Sequence, residues 1–247
     1  MKKIIVANFK MNQTQSETKQ YFTKFLCKFD NSSIMPILCT PFTSLSVASF
    51  FTSNTEIKLG AQNVACEDNV TGEVSAKMLK EAGVEYTLVG HIDRREKFKE
   101  TNALVNKKIK ESLKQGIKCI VCVGETFAEK NSNRTAEILK RQIEECLKGL
   151  YENELERLII SYEPFWAVGK DTTATIKEIE NGAKIIRKTI NDLYSEKASR
   201  DILVIYGGGL TPLNAVKLLS AKGIDGGMFG SSALDADSFV SMLNRIK

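Results

Sequence analysis

Four residues in this chain join a reactive side chain to a place just after a short apolar run. Glu163 follows the run 158–160, Ser161 and Tyr162, and it opens onto Pro164, Phe165 and Trp166 in the stretch YEPFWAVGKDTTAT. A carboxylate beside proline and two aromatic rings sits in a partly apolar setting, which raises its pKa and strengthens it as a base. A rim glutamate paired with a lysine is the competing reading. His91, the single histidine, stands in GHIDRRE at an expected helix start. A helix N-terminus lowers an imidazole pKa and keeps the ring neutral; a purely structural histidine is the alternative. Lys10 and Asn8 lie in ANFKMN after the first apolar run. A lysine there is ordinarily solvated, and Lys10 gains weight only from its place between Asn8 and Met11. Glu125, in CVGET, reads instead as a structural ion-pair partner of Arg94 or Arg95.

Two glycine clusters suggest an anion. GGG at 207–209 and GSS at 230–232 offer backbone N–H groups free of side-chain obstruction. The following SSALDADSF can open a helix whose N-terminus attracts negative charge.

These residues need a frame that brings them to one place. Short β-branched runs recur about every 25 to 40 residues, and they are continuous rather than alternating, as in parallel strands buried on both faces. Eight strands are expected, near 3–8, 35–40, 57–62, 86–90, 117–123, 157–162, 202–206 and 225–229, the last weakened by the glycines of DGGMFG. Helical stripes lie between them: Leu139, Ile143, Cys146, Leu147 and Leu150 form one, and Ile176, Ile179, Ala183, Ile186, Ile190 and Leu193 another. No linker or composition break divides the chain. Eight βα units in 247 residues fit an α/β protein of one domain, 1–247, closed as a (β/α)8 barrel, better than a doubly wound open sheet. In such a barrel Asn8, Lys10, His91, Glu163 and both glycine clusters fall on one rim, where active sites are built, and phosphate sites commonly follow strands seven and eight.

The gross composition agrees. With 43% apolar and 26% charged residues and a net charge of +5, spread rather than blocked, the chain favours a small anion over nucleic acid. Its apolar runs are too short to span a bilayer. Lys10 interrupts the first run before a signal-peptide core forms, so MKKIIVANFKMN reads as mature sequence. Cys119 and Cys122 form a CxxC inside a strand-like run, where their spacing sends the two thiols to opposite faces. That argues for reduced core thiols, in keeping with a cytoplasmic location, and against a metal site.

Taken together, ANFKMN at 7–12, AQNV at 61–64, TGEVSAKMLKEAGVEY at 71–86, GHIDRRE at 90–96, CVGET at 122–126, YEPFWAVG at 162–169 and YGGG at 206–209 resemble the triosephosphate isomerase family over essentially the whole chain. The resemblance implies a cofactor-free and metal-free aldose–ketose isomerase acting on a small phosphorylated sugar. Glu163 would be its base, His91 its electrophile, Lys10 its electrostatic clamp and Asn8 a substrate-positioning amide. Phosphate would meet backbone groups at Gly169, Gly209, Gly230 and Ser231, and a lid over 167–171 would close on it to exclude water. The resemblance also implies a homodimer.

The departures from the family pattern are local. Lys170 and Asp171 stand where a threonine and a glycine are usual, and Asp171 would be repelled by a dianion unless it points outward. Gly209 replaces a serine, Ser231 a glycine, and Ile92 a serine. Asp93 replaces a glutamate, one methylene shorter, which puts its reach toward Lys10 in question. The loop between Asn63 and Thr71, which makes the family's dimer contact, is about two residues short. Two alternatives therefore stand beside the triose reading: an isomerase for a four-carbon sugar phosphate such as erythrulose phosphate, and a non-catalytic barrel that binds sugar phosphates.

Overall fold

In the computed structural model, residues 2–67, 69–169 and 172–246 are described. Eight strands run β1 (Lys3–Asn8), β2 (Ile34–Thr40), β3 (Lys58–Ala61), β4 (Tyr86–Val89), β5 (Lys118–Val123), β6 (Leu158–Tyr162), β7 (Leu203–Tyr206) and β8 (Gly226–Phe229). All pair in parallel in sequence order, and β8 returns to β1 to close the barrel. Every strand lies within two residues of its expected position. The glycines of β8 have a steric cause: a Cβ at Gly226 would overlap the carbonyl of Ile4, its partner on β1.

Alternation along each strand divides the apolar residues into two cores. Ile4, Val6, Ile37, Leu88, Ile120 and Ile159 point into the barrel. Ile5, Leu38, Val89, Val121, Ile160 and Val204 point out to the helices. Each fully buried aliphatic side chain contributes about 1.5–3 kcal/mol, which is why the strands are apolar on both faces. Cys119 joins the outer core and Cys122 the inner one, on opposite faces as their spacing requires.

The helices are α1 (Gln15–Lys28), α2 (Leu45–Thr52), α3 (Ala76–Glu81), α4 (Ile92–Phe98), α5 (Asn102–Lys114), α6 (Phe127–Asn131), α7 (Thr135–Cys146), α8 (Ile176–Leu193), α9 (Glu196–Asp201), α10 (Ala215–Leu218) and α11 (Ala236–Leu243). The stripe expected to reach Leu150 ends as helix at Cys146; Leu147 and Leu150 stay buried in the turn beyond it. Among the described residues no helix is long and apolar enough to cross a membrane.

Helix α8 carries one residue that ties the outer layer to the site. Gly182 faces the ring of Tyr162 so closely that a Cβ there would overlap it. Alanine is the better helix former by about 1 kcal/mol, whereas overpacking a filled core costs about 1–3 kcal/mol. Gly182→Ala is therefore expected to lose up to about 2 kcal/mol in urea denaturation, against its helix propensity. A variant more stable than the parent by about 1 kcal/mol would show that Tyr162 yields without cost.

Candidate active site

The loop leaving β1 brings Lys10 back toward the barrel axis. Lys10 adopts a left-handed conformation at φ 51°. The carboxamide Oδ1 of buried Asn8 accepts its backbone N–H at 3.0 Å, stabilising that turn. Its ammonium then lies 3.0 Å from Asp93 Oδ2. Asp93 belongs to the first turn of α4, and this placement lets the shorter side chain reach. Burial raises the Asp93 pKa, but the hydrogen bond from Lys10, with His91 and Lys97 nearby, outweighs it and leaves the net shift downward.

His91 caps the same helix. Its Nδ1 accepts the N–H of Asp93 at 3.1 Å, so in the neutral ring Nε2 carries the proton. Burial, reinforced by the charge of Lys10, pushes the imidazole down to about 4. Near neutral pH the ring is therefore an uncharged donor.

Glu163 stands at the end of β6. Its N–H donates to Val123 O at 2.8 Å, and Phe165 N–H donates to Glu125 O at 2.9 Å, so the turn through Pro164 is pinned to the end of β5. The carboxyl is completely buried, and neither oxygen has a hydrogen-bond partner. Burial lifts it to about 7, against the opposing influence of Cys122, Ser161, Lys10 and Arg95. Glu163 Oε2 lies 3.6 Å from His91 Nε2, too far for a hydrogen bond. A base and a neutral donor thus face one another with neither neutralised by the other.

Asn8, Lys10, His91 and Glu163 all line one cavity of about 540 Å3, and so do Gly169, Gly209, Gly230 and Ser231. Ser231 opens a 3-10 turn, Ser231–Ala233, directly after β8. Ser232 Oγ donates to Leu210 O at 2.7 Å, tying the loop after β8 to the loop after β7. Asn214 Nδ2 donates to Gly209 O at 3.0 Å and steadies the glycine turn. The cavity thus combines carboxylate, imidazole and ammonium groups with glycine backbone.

The same chain matches known proteins along its length. The family model described as triosephosphate isomerase covers residues 3–246. A triosephosphate isomerase of Alkaliphilus metalliredigens is 40% identical over 98% of this chain and 99% of its own. That of Finegoldia magna is 38% identical over 98% of each, and that of Dictyoglomus thermophilum 40% identical over 96% and 97%. The chain belongs to the triosephosphate isomerase family.

Several departures from the family pattern now have a physical description. At Gly209, with φ 61°, a Cβ would lie 2.8 Å from Thr172 O and 2.9 Å from Thr173 Cγ2. The chain after residue 171 occupies the space that the family's serine would use. Ile92 is buried, and Ser231 is exposed. Lys170 and Asp171 lie outside the described residues.

Glu125 is structural, as expected, but its partners are not the arginines. It accepts from Trp166 Nε1 at 2.9 Å and from Tyr162 Oη at 3.2 Å. Arg94 instead donates to Glu100 at 2.7 Å, and Arg95 to Gly90 O at 2.7 Å and Asn102 Oδ1 at 2.6 Å. The two arginines thus serve the two ends of α4, the start of α5 and, through Arg95 to Cys122 O at 3.2 Å, strand β5. The signal for the true partners was the buried Tyr162 and Trp166, whose O–H and N–H need acceptors.

A second network escaped sequence reasoning. Lys130 Nζ sits 3.6 Å from the Trp166 ring centroid and 2.6 Å from Glu178 Oε1. The other oxygen of Glu178 accepts the Thr175 N–H at 2.7 Å, capping α8. Trp166 and Thr175 flank the segment 167–174, so one lysine joins its two ends. Tyr206 Oη adds a third tie, accepting Ala174 N–H at 3.1 Å.

The displaced Glu163 value makes stability depend on pH in a defined direction. Below its ordinary value of 4.5 the carboxyl is protonated both folded and unfolded, and stability is complete. Between there and about 7 the unfolded chain gives up the proton while the folded one keeps it, so stability falls as pH rises, by about 3 kcal/mol in all. His91, depressed when folded, imposes the opposite slope at lower pH, and does so in parent and variant alike. Urea denaturation of Glu163→Gln and parent at about pH 4 and about pH 8 should show the variant gaining about 3 kcal/mol relative to the parent at the higher pH. An equal difference at both would mean that the folded carboxylate is solvated.

Proposed function

We propose that this protein interconverts dihydroxyacetone phosphate and glyceraldehyde 3-phosphate through an enediolate, as a cofactor-independent aldose–ketose isomerase. The observation that carries the reading is the facing pair: an unpartnered buried carboxylate raised to about 7 and a neutral imidazole whose Nε2–H is free to donate. The roles are those already known for the family's glutamate and neutral histidine.

Glu163 takes a proton from the carbon beside the substrate carbonyl. His91 Nε2–H donates to the oxygen on which charge develops, and Lys10 stabilises that charge. The neutral ring matters, because a protonated His91 would pair with Glu163 and quench the base. Glu163 then returns the proton to the neighbouring carbon, while the hydroxyl proton on the first carbon passes by way of the His91 Nε2 to the former carbonyl oxygen, and together these transfers exchange ketose for aldose. Asn8 fixes the turn that aims Lys10 and offers its amide to the substrate, while Asp93 orients Lys10. The phosphate would lie against backbone N–H groups at Gly169, Gly209, Gly230 and Ser231. The relatives that share the chain's full length carry the triose name, which favours the triose over the tetrose substrate and over a binding-only barrel.

Two further features belong to this reading, a homodimer and a cytoplasmic location. Met11, Val70 and Phe98, in loops or helices following β1, β3 and β4, leave large apolar side chains in solvent, as a chain that buries them against a second copy would. All six cysteines are free, in keeping with a reducing compartment. Sedimentation at micromolar concentration is expected to give twice the chain mass; a monomer across that range would remove the dimer from the proposal.

The catalytic reading is tested by Glu163→Gln in an assay with dihydroxyacetone phosphate and EDTA. Loss of a positioned general base is expected to lower kcat about a thousandfold while leaving KM nearly unchanged. Turnover within tenfold of the parent would rule out Glu163 as the base.

A further inference from the structure

Beneath the base lies a second buried polar group that the reaction as described does not use. Ser161 precedes Glu163 by two residues along β6, so both project to the barrel interior, on the face of Ile159. Ser161 is completely buried and its Oγ has no hydrogen-bond partner. Among the described residues seven buried side-chain oxygens lack a partner, and three of them belong to Ser161 and Glu163. Such orphans are uncommon in folded proteins, and two adjacent ones on one face call for a shared explanation.

Gly207, on the loop after β7, shows that the two side chains share one space. A Cβ at Gly207 would lie 2.9 Å from Glu163 Cγ and 3.3 Å from Ser161 Oγ. The glycine leaves this gap open, so the Ser161 hydroxyl and the Glu163 methylene that carries the carboxyl border the same small volume. The other groups that act on Glu163 are of different kinds. His91 approaches from the start of α4 with Nε2 at 3.6 Å, and Asp93 lies behind it, paired with Lys10. Lys10 and Arg95 contribute positive charge, and Cys122 on β5 offers a weak S–H donor kept protonated by burial. Ile92, next to His91, carries only alkyl groups. Ser161 alone among these brings a neutral O–H.

On the reading that Glu163 is the base, we propose that Ser161 is its positioning residue: the Oγ–H donates to the ionised carboxylate and releases it when the carboxyl takes the substrate proton. No bond to carbon is made or broken at Ser161, and the hydroxyl keeps its own proton throughout. The hydrogen bond favours the charged form, and so opposes the burial that would otherwise hold the carboxyl protonated at neutral pH. It also gives the carboxylate a fixed resting orientation without the ion pair that a charged donor would form.

The test uses the full chain. The infrared band of the protonated carboxyl that disappears in Glu163→Gln is titrated in the parent, in Ser161→Ala and in Ser161→Thr, beside kcat/KM against pH. In Ser161→Ala the midpoint of that band should rise by about one unit, and kcat/KM near pH 7 should fall about fivefold and recover at higher pH. Ser161→Thr, which keeps the hydroxyl, should titrate like the parent. A midpoint unmoved in Ser161→Ala overturns the proposal, and so does an equal shift in both variants, which would mark a packing effect. The band reports on Glu163 whether or not the chain turns over, so it separates failure at Ser161 from failure of the catalytic reading, which would appear as activity retained in Glu163→Gln.

Discussion

The rim of this barrel is organised around a carboxylate that is fully removed from water and yet unpaired. A lone buried charge is among the costlier things a fold can hold, and the usual remedy is an ion pair. Here that remedy is withheld. Lys10 is turned onto Asp93 at 3.0 Å, and His91 is kept neutral by burial and by that same lysine. Burial therefore moves the two groups in opposite directions, the acid up to about 7 and the imidazole down to about 4. A pair displaced in this way supplies a base and an uncharged donor within a few ångströms, with no proton exchange between them at rest. The surrounding hydrogen bonds, from Glu163 N–H to Val123 O and from Phe165 N–H to Glu125 O, fix the backbone that carries the carboxyl.

This dependence explains why so many structural residues crowd one side of the site. Tyr162 and Trp166 flank Glu163 in sequence and both donate to Glu125, so their polar atoms are satisfied away from the base. Lys130 covers the Trp166 ring and continues to Glu178, the cap of α8. Gly182 on that helix makes room for the Tyr162 ring. Helix α8, Tyr162, Trp166 and strand β6 thus form one packed unit. Its polar contacts run through Glu125 and Glu178 rather than through Glu163.

Much of this was legible in the sequence, and the boundary of legibility is physical. Strands buried on both faces read as continuous apolar runs, so all eight were placed correctly, β8 included; its glycines answer to the Ile4 carbonyl rather than to a turn. The reactive side chains were legible because a closed parallel barrel puts every strand end on one rim. Partners were not. Glu125 lies 37 and 41 residues from the two side chains that bind it, and nothing in local spacing distinguishes them from Arg94 and Arg95. The helical stripe beyond Cys146 misled for a related reason, since Leu147 and Leu150 are buried by the turn as fully as a helix would bury them.

The Gly209 end of the rim shows why a substitution read alone misjudges its consequence. Gly209 counts, on sequence, as a lost hydroxyl where the family usually has a serine. In the fold its missing Cβ is the space into which Thr172 O and Thr173 Cγ2 press, within 3 Å of where that atom would stand. Restoring a side chain there would push against the backbone of 172–173, which Ala174 N–H ties to Tyr206 Oη only one residue further on. Gly209 and the 172–174 stretch are therefore matched surfaces, and the glycine is the condition for their contact. Ser232, donating to Leu210 O, meanwhile supplies a hydroxyl link between the loops after β7 and β8. The shape of that end is set by how closely two backbones approach, a quantity that resides in the pair of segments and in neither residue by itself.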